Sequence, residues 1–207
     1  MTDNWWIFAI GFAAQLLFSA RMLIQWLMSE KARQVVSPAV YWQLSLLAAI
    51  LFLAYGWLRN DFAIILGQFI SYYIYIWNLN EKGDWKKVHR AIRLLIYLIP
   101  LAALTYVFVD IEMVGKRLFD FANISLPLLL FGSFGQIIFV FRFIYQWQYS
   151  RTRHQSLLPR GFWLMSIVGS LAIVTYGIFR NDPVLIVGHS VGFIIYSRNW
   201  WLAKRQQ

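Results

Sequence analysis

Two stretches of this chain carry the same polar residues: Arg21-Met22-Leu23-Ile24-Gln25-Trp26 and Arg142-Phe143-Ile144-Tyr145-Gln146-Trp147. The offset is 121 positions (142 − 21 = 121), and it continues without a gap on both sides. Other matches at this offset are Gln15 with Gln136, Pro38 with Pro159, Trp42 with Trp163, Tyr75 with Tyr196 and Asn78 with Asn199. Repetition of this length indicates two copies of one structural unit. Because the matching residues are mostly polar and lie in or beside apolar stretches, we predict a membrane protein with a pseudo-symmetric polar interior.

The composition indicates a polytopic membrane protein. Hydrophobic residues make up 60% of the chain and charged residues 14%, whereas a soluble domain has about 25% charged residues. The absence of cysteine excludes disulfides and thiolate chemistry. The first apolar segment recurs as the fifth, so we expect it to belong to the fold and not to a cleaved signal peptide.

The apolar segments predict seven spanning helices, because a span needs about 20 mostly apolar residues. They are expected at roughly 5–28, 39–58, 62–80, 92–110, 125–148, 162–179 and 183–202. The first three and last three form the repeats, and the fourth has no counterpart. We therefore predict an all-α integral membrane protein with 3+1+3 parallel repeats. Its domains would be residues 1–83, a linker with the fourth span at 84–124, and residues 125–207.

The distribution of basic residues predicts the orientation. With a fourth span, the loop containing Lys31 and Arg33 lies on the same side as the loop containing Arg151 and Arg153. Basic loops face the cytoplasm, so the N-terminus is expected outside and the C-terminus inside. The net charge of +10 is then explained by topology and contact with anionic lipids. Nucleic acid is not expected as a partner.

Arg21 and Arg142 are the most unusual residues, because each lies within an apolar run. A guanidinium group in a membrane is costly and usually faces a protein interior or a wet cavity. Gln25 and Gln146 lie four residues further on and share the same helix faces. One interpretation is that the arginines bind an anionic ligand such as a phosphate. The other is that they extend to the headgroups or to helix carbonyls.

The third helix of each repeat carries a polar stripe. The first copy has Gln68, Ser71, Tyr75 and Asn78, and the second has His189, Gly192, Tyr196 and Asn199. These side chains either line an interior path or form hydrogen bonds between helices. His189 is expected to be a hydrogen-bonded core histidine more than a proton-coupling group. Standard catalytic and metal-binding signatures are absent, so we predict neither an enzyme nor a bound metal or cofactor.

The residues of both repeats resemble one family. The motif of the first copy consists of Gly11, Gln15, Arg21, Gln25-Trp26, Ser29, Pro38, Trp42, Ser45, Tyr55-Gly56, Arg59-Asn60-Asp61, Gly67, Tyr75 and Asn78. This motif is similar to that of the lipid A biosynthesis N-terminal domain family. The second copy fits from Gly132 to Asn199. The resemblance implies a role in bacterial envelope glycolipid pathways, and family members are sometimes fused to a lipid-A-disaccharide synthase. We expect that enzymatic activity to be absent, because the chain has no room for the synthase.

That family is in turn similar to the PQ-loop group, which includes the SWEET and SemiSWEET transporters. The resemblance implies a SWEET-like arrangement of two three-helix repeats joined by one helix. The literal Pro-Gln pair is missing, since Pro38 precedes Ala39 and Pro159 precedes Arg160. A free sugar is therefore not the expected substrate.

The resulting prediction is a multi-pass transporter or flippase in the bacterial inner membrane. Its substrate would be an anionic glycolipid such as a polyprenyl-phosphate-linked sugar, with the phosphate bound by Arg21 and Arg142. The other expected substrate-binding residues are Gln15, Gln136, Gln25, Gln146, Gln68, His189, Tyr75, Tyr196, Asn78 and Asn199. Two alternatives stay open: a non-transporting scaffold for an envelope glycosyltransferase, and a small membrane enzyme that modifies lipid A. Membrane lipids are expected partners in every case.

Overall fold

The computed structural model of the protein describes residues 5–58, 62–109, 125–179 and 183–204. The regular structure within these ranges is entirely helical. The helices are α1 (Trp5–Ala32), α2 (Ala39–Leu58), α3 (Phe62–Glu81), the short α4 (Asp84–Lys87), α5 (Arg90–Val109), α6 (Leu126–Arg151), α7 (Arg160–Phe179) and α8 (Pro183–Lys204).

Four of these helices, α1, α2, α6 and α7, are long and apolar enough to cross a membrane. This finding supports the predicted class, an all-α membrane protein. The count of seven spans, the 3+1+3 parallel repeat and the SWEET-like arrangement stay predictions. The repeated Arg59-Asn60-Asp61 and Arg180-Asn181-Asp182 segments lie outside the described residues.

Helices α1 and α6 end in the same backbone motif. At the end of α1, the Arg33 N–H donates to the Glu30 carbonyl (3.1 Å) and the Gln34 N–H donates to the Ser29 carbonyl (3.2 Å). This pair of bonds is the Schellman motif, which needs a left-handed residue just after the helix. Arg33 takes that position with φ 54°, and His154 takes it after α6 with φ 49°. Both positions are occupied by residues with a side chain, although glycine is favoured there.

A serine near the end of each helix binds the connection that follows. Ser29 Oγ accepts a hydrogen bond from the Val36 N–H (3.1 Å), and Ser150 Oγ accepts one from the Leu157 N–H (3.1 Å). Both serines are fully buried. The two connections are therefore fixed to their helices by matching hydrogen bonds, at positions that differ by 121 residues.

The chain forms two compact units, and the boundary between them falls inside α1. The first unit consists of Met1–Arg21 and Ala39–Asp120. Within it, α2 packs on α3, and α5 contacts both. Large aromatic residues fill the α2–α3 contact, where the Trp42 and Tyr75 rings lie 6.0 Å apart. Both side chains are buried, so this contact is a core that positions neighbouring residues of α1.

The second unit consists of Met22–Pro38 and Phe121–Gln207, and in it α7 packs on both α6 and α8. Glycines permit a close approach of α6 to α7. A Cβ added at Gly135 would lie 2.6 Å from the Ala172 Cβ, and one at Gly132 would lie 2.5 Å from the Tyr176 ring. Small residues at such contacts let helix backbones approach closely in membranes. This packing brings α6, α7 and α8 around Arg142.

Candidate functional site

Arg21 lies in a buried cluster built by α1, α2 and α3 of the first unit. The residue is 5% exposed. Its Nη1 donates a hydrogen bond to Ser45 Oγ (2.7 Å), and Ser45 Oγ donates to the Tyr41 carbonyl (2.5 Å). Ser45 is thus oriented by its own helix as an acceptor for the arginine. The buried position shows that Arg21 does not extend to the surface of the described structure.

Aromatic rings surround the same guanidinium group. The Arg21 Cζ atom lies 4.6 Å from the ring centre of Phe18, 5.2 Å from that of Tyr41 and 5.5 Å from that of Tyr75. Each distance is within the range of a cation–π interaction, which contributes about 0.5 to 2 kcal/mol. These contacts offset part of the cost of burying the charge and fix the position of the side chain.

Arg142 lies in an equivalent cluster in the second unit, and it is 4% exposed. Its Cζ atom lies 3.3 Å from the ring centre of Phe139, and it lies 5.6 Å and 5.7 Å from those of Phe162 and Tyr196. Phe139, Phe162 and Tyr196 are the counterparts of Phe18, Tyr41 and Tyr75 at the 121-residue offset. At these three positions the clusters differ in one ring, Tyr41 in the first and Phe162 in the second. Arg142 also has the Phe143 ring at 4.8 Å, where the first copy has Met22.

The predicted amide residues form a separate network at the helix ends. Gln25 Nε2 lies within hydrogen-bond distance of Ser29 Oγ (2.8 Å), the Val36 carbonyl (3.2 Å) and Asn199 Oδ1 (3.0 Å). Gln25 and Asn199 are fully buried, and Asn199 Nδ2 donates to the Ile195 carbonyl (3.0 Å). The Gln25 side chain therefore connects α1, the following connection and α8 within the second unit.

Gln146 of the second unit and Asn78 of the first unit, which match Gln25 and Asn199 at the 121-residue offset, make similar hydrogen bonds. Gln146 Nε2 donates to Ser150 Oγ (2.9 Å) and to the Leu157 carbonyl (2.8 Å). Asn78 Nδ2 donates to the Ile74 carbonyl (2.8 Å). Gln146 and Asn78 are both fully buried. The described contacts of all four amides are with protein groups that hold helix ends and connections.

The remaining predicted site residues are distributed unevenly. Gln15 and Gln136 are exposed, so the structure does not bring them into the buried arginine clusters. The reason is helical geometry, because six residues at 100° each place Gln15 about 120° from Arg21 around α1. Gln68 and His189 are half-buried, and the His189 ring meets the Phe139 ring edge-on at 4.9 Å. His189 is therefore beside the Arg142 cluster.

One ion pair of the site was not predicted from the sequence. Arg198 of α8 donates through Nη2 to Glu30 Oε2 (2.8 Å) and through Nε to the other carboxylate oxygen. Trp26 Nε1 also donates to Glu30 (3.0 Å). The counterparts at the 121-residue offset are Arg151 for Glu30 and Trp77 for Arg198, so neither charge of this pair is repeated. Two charged residues of opposite sign that each occur in only one copy are the signal in the sequence that could have revealed the pair.

The described residues contain no group of three or more histidine, aspartate or glutamate side chains that could hold a metal ion. They contain two buried arginines, one in each copy of the repeated unit, and aromatic rings surround each guanidinium group. A guanidinium group presents a planar fork of donors that matches a carboxylate or a phosphate group.

The comparisons with known proteins identify the family. The sequence profile of the lipid A biosynthesis N-terminal domain matches residues 10–80 and 131–201, which together include both arginine clusters. The chain belongs to this family and contains two tandem copies of its domain. The resemblance noted from the sequence is confirmed in this respect. No solved structure matches the chain, and the similarity to SWEET transporters is not supported.

Curated relatives match almost the whole chain. It is 29% identical to a lipid-A-disaccharide synthase of Chlamydia caviae over 91% of this chain and 32% of the relative. It is 29% identical to the synthase of Chlamydia pneumoniae (97% and 34%) and 26% identical to that of Chlamydia trachomatis serovar D (97% and 35%). The chain thus spans about a third of the length of these relatives.

These relatives overturn two predictions. The chain was expected to be a transporter or flippase, and it was expected not to be an enzyme. Both predictions are wrong, because relatives along almost the whole chain are named for an enzyme of lipid A disaccharide synthesis. The open alternatives, which place the chain beside a glycosyltransferase or in lipid A modification, agree better with these names.

Proposed function

We propose that this chain works in lipid A biosynthesis as a membrane-embedded part of an enzyme of the lipid-A-disaccharide synthase kind. Its role is to bind a phosphorylated glycolipid of that pathway in the membrane. The observation that carries the proposal is that both family matches contain a buried arginine in an aromatic cluster. The relatives' shared name supplies the pathway.

Arg21 and Arg142 are the proposed phosphate-binding residues. The three acidic residues that the structure describes, Glu30, Glu81 and Asp84, lie at or near helix ends and away from the middle of the long helices. A guanidinium group carries five N–H donors in a planar fork that matches the geometry of a phosphate group. A phosphate can therefore add charge-assisted hydrogen bonds, each contributing about 1.5 to 3 kcal/mol.

The other site residues divide into two groups in this proposal. Tyr75, Tyr196 and the half-buried Gln68 and His189 lie on the helices that build the arginine clusters and would contact the glycolipid. The amides Gln25, Gln146, Asn78 and Asn199 would maintain the helix positions on which the clusters depend.

The proposed setting is the bacterial inner membrane, with seven spans in two parallel repeats and the domain boundaries stated above. An envelope glycosyltransferase is the proposed protein partner. The basic connection near Lys86 supports a cytoplasmic position for that segment, with the N-terminus outside. Cysteine placed at position 86 should then react with a membrane-impermeant reagent in opened but not in intact cells.

A reconstituted assay tests the function. The full chain in nanodiscs would be incubated with substrates of lipid A disaccharide synthesis, alone and together with a synthase from which the matching membrane segment has been removed. We expect the chain to increase disaccharide formation, detected by mass spectrometry. Arg21→Gln and Arg142→Gln should each weaken glycolipid binding about tenfold or more, from the loss of one charge-assisted hydrogen bond. Arg→Lys variants should give intermediate losses, because the charge stays and the planar fork is lost.

The exposed pair Gln15→Ala and Gln136→Ala provides the control, since these side chains lie outside the clusters. Disaccharide formed by the chain alone would assign catalysis to it. Disaccharide increased only with the synthase would make it a component that presents the substrate. Unchanged product formation, together with normal glycolipid binding by both Arg→Gln variants, would refute the proposal.

A further inference from the structure

A groove runs between α2 and α5 of the first unit, and the family profile does not include the α5 side of it. Its wider part has a volume of about 500 Å³ and lies between Ile50 and Trp57 on α2 and Ile99 and Thr105 on α5. Its narrower part, about 240 Å³, continues to Val88. Ile50 lines both parts, so the two parts adjoin each other at this residue.

The wider part of the groove has apolar walls. Small side chains at Ala54, Ala102 and Ala103 create the space. The hydroxyl group of Thr105 is bonded back to the Ala102 carbonyl (2.6 Å), so it presents little polarity to the groove. Volumes of 300 to 1,000 Å³ are typical of ligand sites, and an apolar lining favours a hydrocarbon ligand.

The length of the groove fits an acyl chain. Its lining on α2 extends from Gln43 to Trp57, which is 14 residues and about 21 Å along the helix axis. The hydrocarbon layer of one leaflet is about 15 Å deep, half of the roughly 30 Å core. The groove is therefore long enough for its side chains to contact a lipid tail along the full depth of one leaflet.

The narrow end of the groove lies at a segment of the chain that has a net positive charge. It is formed by Asp84, Trp85 and Val88, within the connection from α3 to α5. Residues 82–93 contain five basic side chains and one acidic side chain, a net charge of +4 (5 − 1). The acidic residue, Asp84, is paired with Lys87 (2.6 Å). Basic clusters beside membrane helices attract anionic lipid headgroups.

From these features we infer that the α2–α5 groove binds one acyl chain of an anionic phospholipid, whose phosphate group lies at the basic connection of residues 82–93. The charge of the connection selects the headgroup and the groove holds the tail. This site is separate from the arginine clusters and does not depend on the proposed function. The counterpart of Ile50 in the second copy is Leu171, which is 49% exposed on α7.

The pair Ile50 and Leu171 provides a matched test. The full chain would be placed in nanodiscs that contain phosphatidylglycerol with a photoactivatable group near the end of one acyl chain. A second set would contain phosphatidylcholine with the same modified chain. After illumination, digestion and mass spectrometry would locate the crosslinks. We expect them at 50–57 and 99–105, and preferentially from phosphatidylglycerol.

Ile50→Trp should fill the groove and reduce these crosslinks about tenfold, as expected for an excluded ligand group of this size. Leu171→Trp should leave them unchanged, with thermal unfolding confirming that both variants are folded. The surface variant Lys86→Gln/Arg90→Gln should lower the preference for phosphatidylglycerol about fivefold for each charge removed. Equal crosslinking in the Ile50→Trp and Leu171→Trp variants would overturn the groove as a tail site. Equal crosslinking from the two lipids would overturn the headgroup assignment.

Discussion

Replacing Gln25 tests whether the buried amide network holds α1 against α8. Gln25→Met keeps the side-chain volume and removes both N–H donors of Nε2. The Nε2 atom lies 2.8 to 3.2 Å from three acceptor oxygens. The two N–H donors supply two full hydrogen bonds, and each contributes about 0.5 to 1.5 kcal/mol to stability. Their loss also leaves buried acceptor oxygens without a donor, which adds to the cost. We expect a total loss of about 2 to 3 kcal/mol.

The assay heats the purified chain in detergent and measures, by size-exclusion chromatography, the fraction that stays folded at each temperature. At roughly 2 to 4 °C per kcal/mol for a chain of this size, Gln25→Met should lower the Tm by about 4 to 12 °C. Gln15→Met is the control, because Gln15 is exposed on the same helix. A surface substitution of this kind should change the stability by less than about 0.5 kcal/mol.

A double-mutant cycle isolates the bond between the two helices. Gln25→Met combined with Asn199→Leu should show a coupling energy of about 0.6 to 1.7 kcal/mol, the range for hydrogen bonds between membrane helices. A coupling energy of zero, together with equal Tm values for Gln25→Met and the Gln15→Met control, would show that the network does not stabilise the second unit. That result would refute the reasoning.

Two further predictions concern the backbone. Arg33→Gly and His154→Gly should each raise stability by up to about 1 kcal/mol, because glycine takes the left-handed position without the cost of a Cβ atom; a lower Tm for both would contradict the Schellman assignment. Gly135→Ala should lower stability by about 1 to 3 kcal/mol, because its Cβ would lie 2.6 Å from that of Ala172. Gly67→Ala is the matched control, since a Cβ there meets nothing within 4 Å, and it should be neutral or stabilising.

The sequence predicted the helical class and the family because both depend on local patterns. Apolar runs of about 20 residues predict helices in a membrane protein, and the 121-residue offset identifies the two copies. The burial of Arg21 and Arg142 also follows from their place within apolar runs. Gln15 was assigned to the site although six residues of helix rotate it away from Arg21. Sequence matching alone did not distinguish a repeated residue that faces the core from one that faces outward.

The functional prediction failed for a different reason. That prediction depends on the absence of catalytic signatures in this chain. The matching relatives are about three times as long, so a motif search within this chain does not sample most of their length. The Glu30–Arg198 pair was not predicted, because the match between the two copies selects residues that recur, and neither charge of this pair does. Both residues lie near helix ends, where the two copies differ.

The division of α1 between the two compact units has a consequence for biosynthesis. The hydrogen bond from Gln25 to Asn199 joins residues that are 174 positions apart. At 5 to 20 residues per second, the ribosome needs roughly 9 to 35 s to reach Asn199 after it has made Gln25. During that interval, the amide donors of Gln25 on α1 lack their acceptor on α8, because α8 has not yet been made. Insertion machinery or chaperones must therefore tolerate a polar face on α1 until α8 has been made and packs against it.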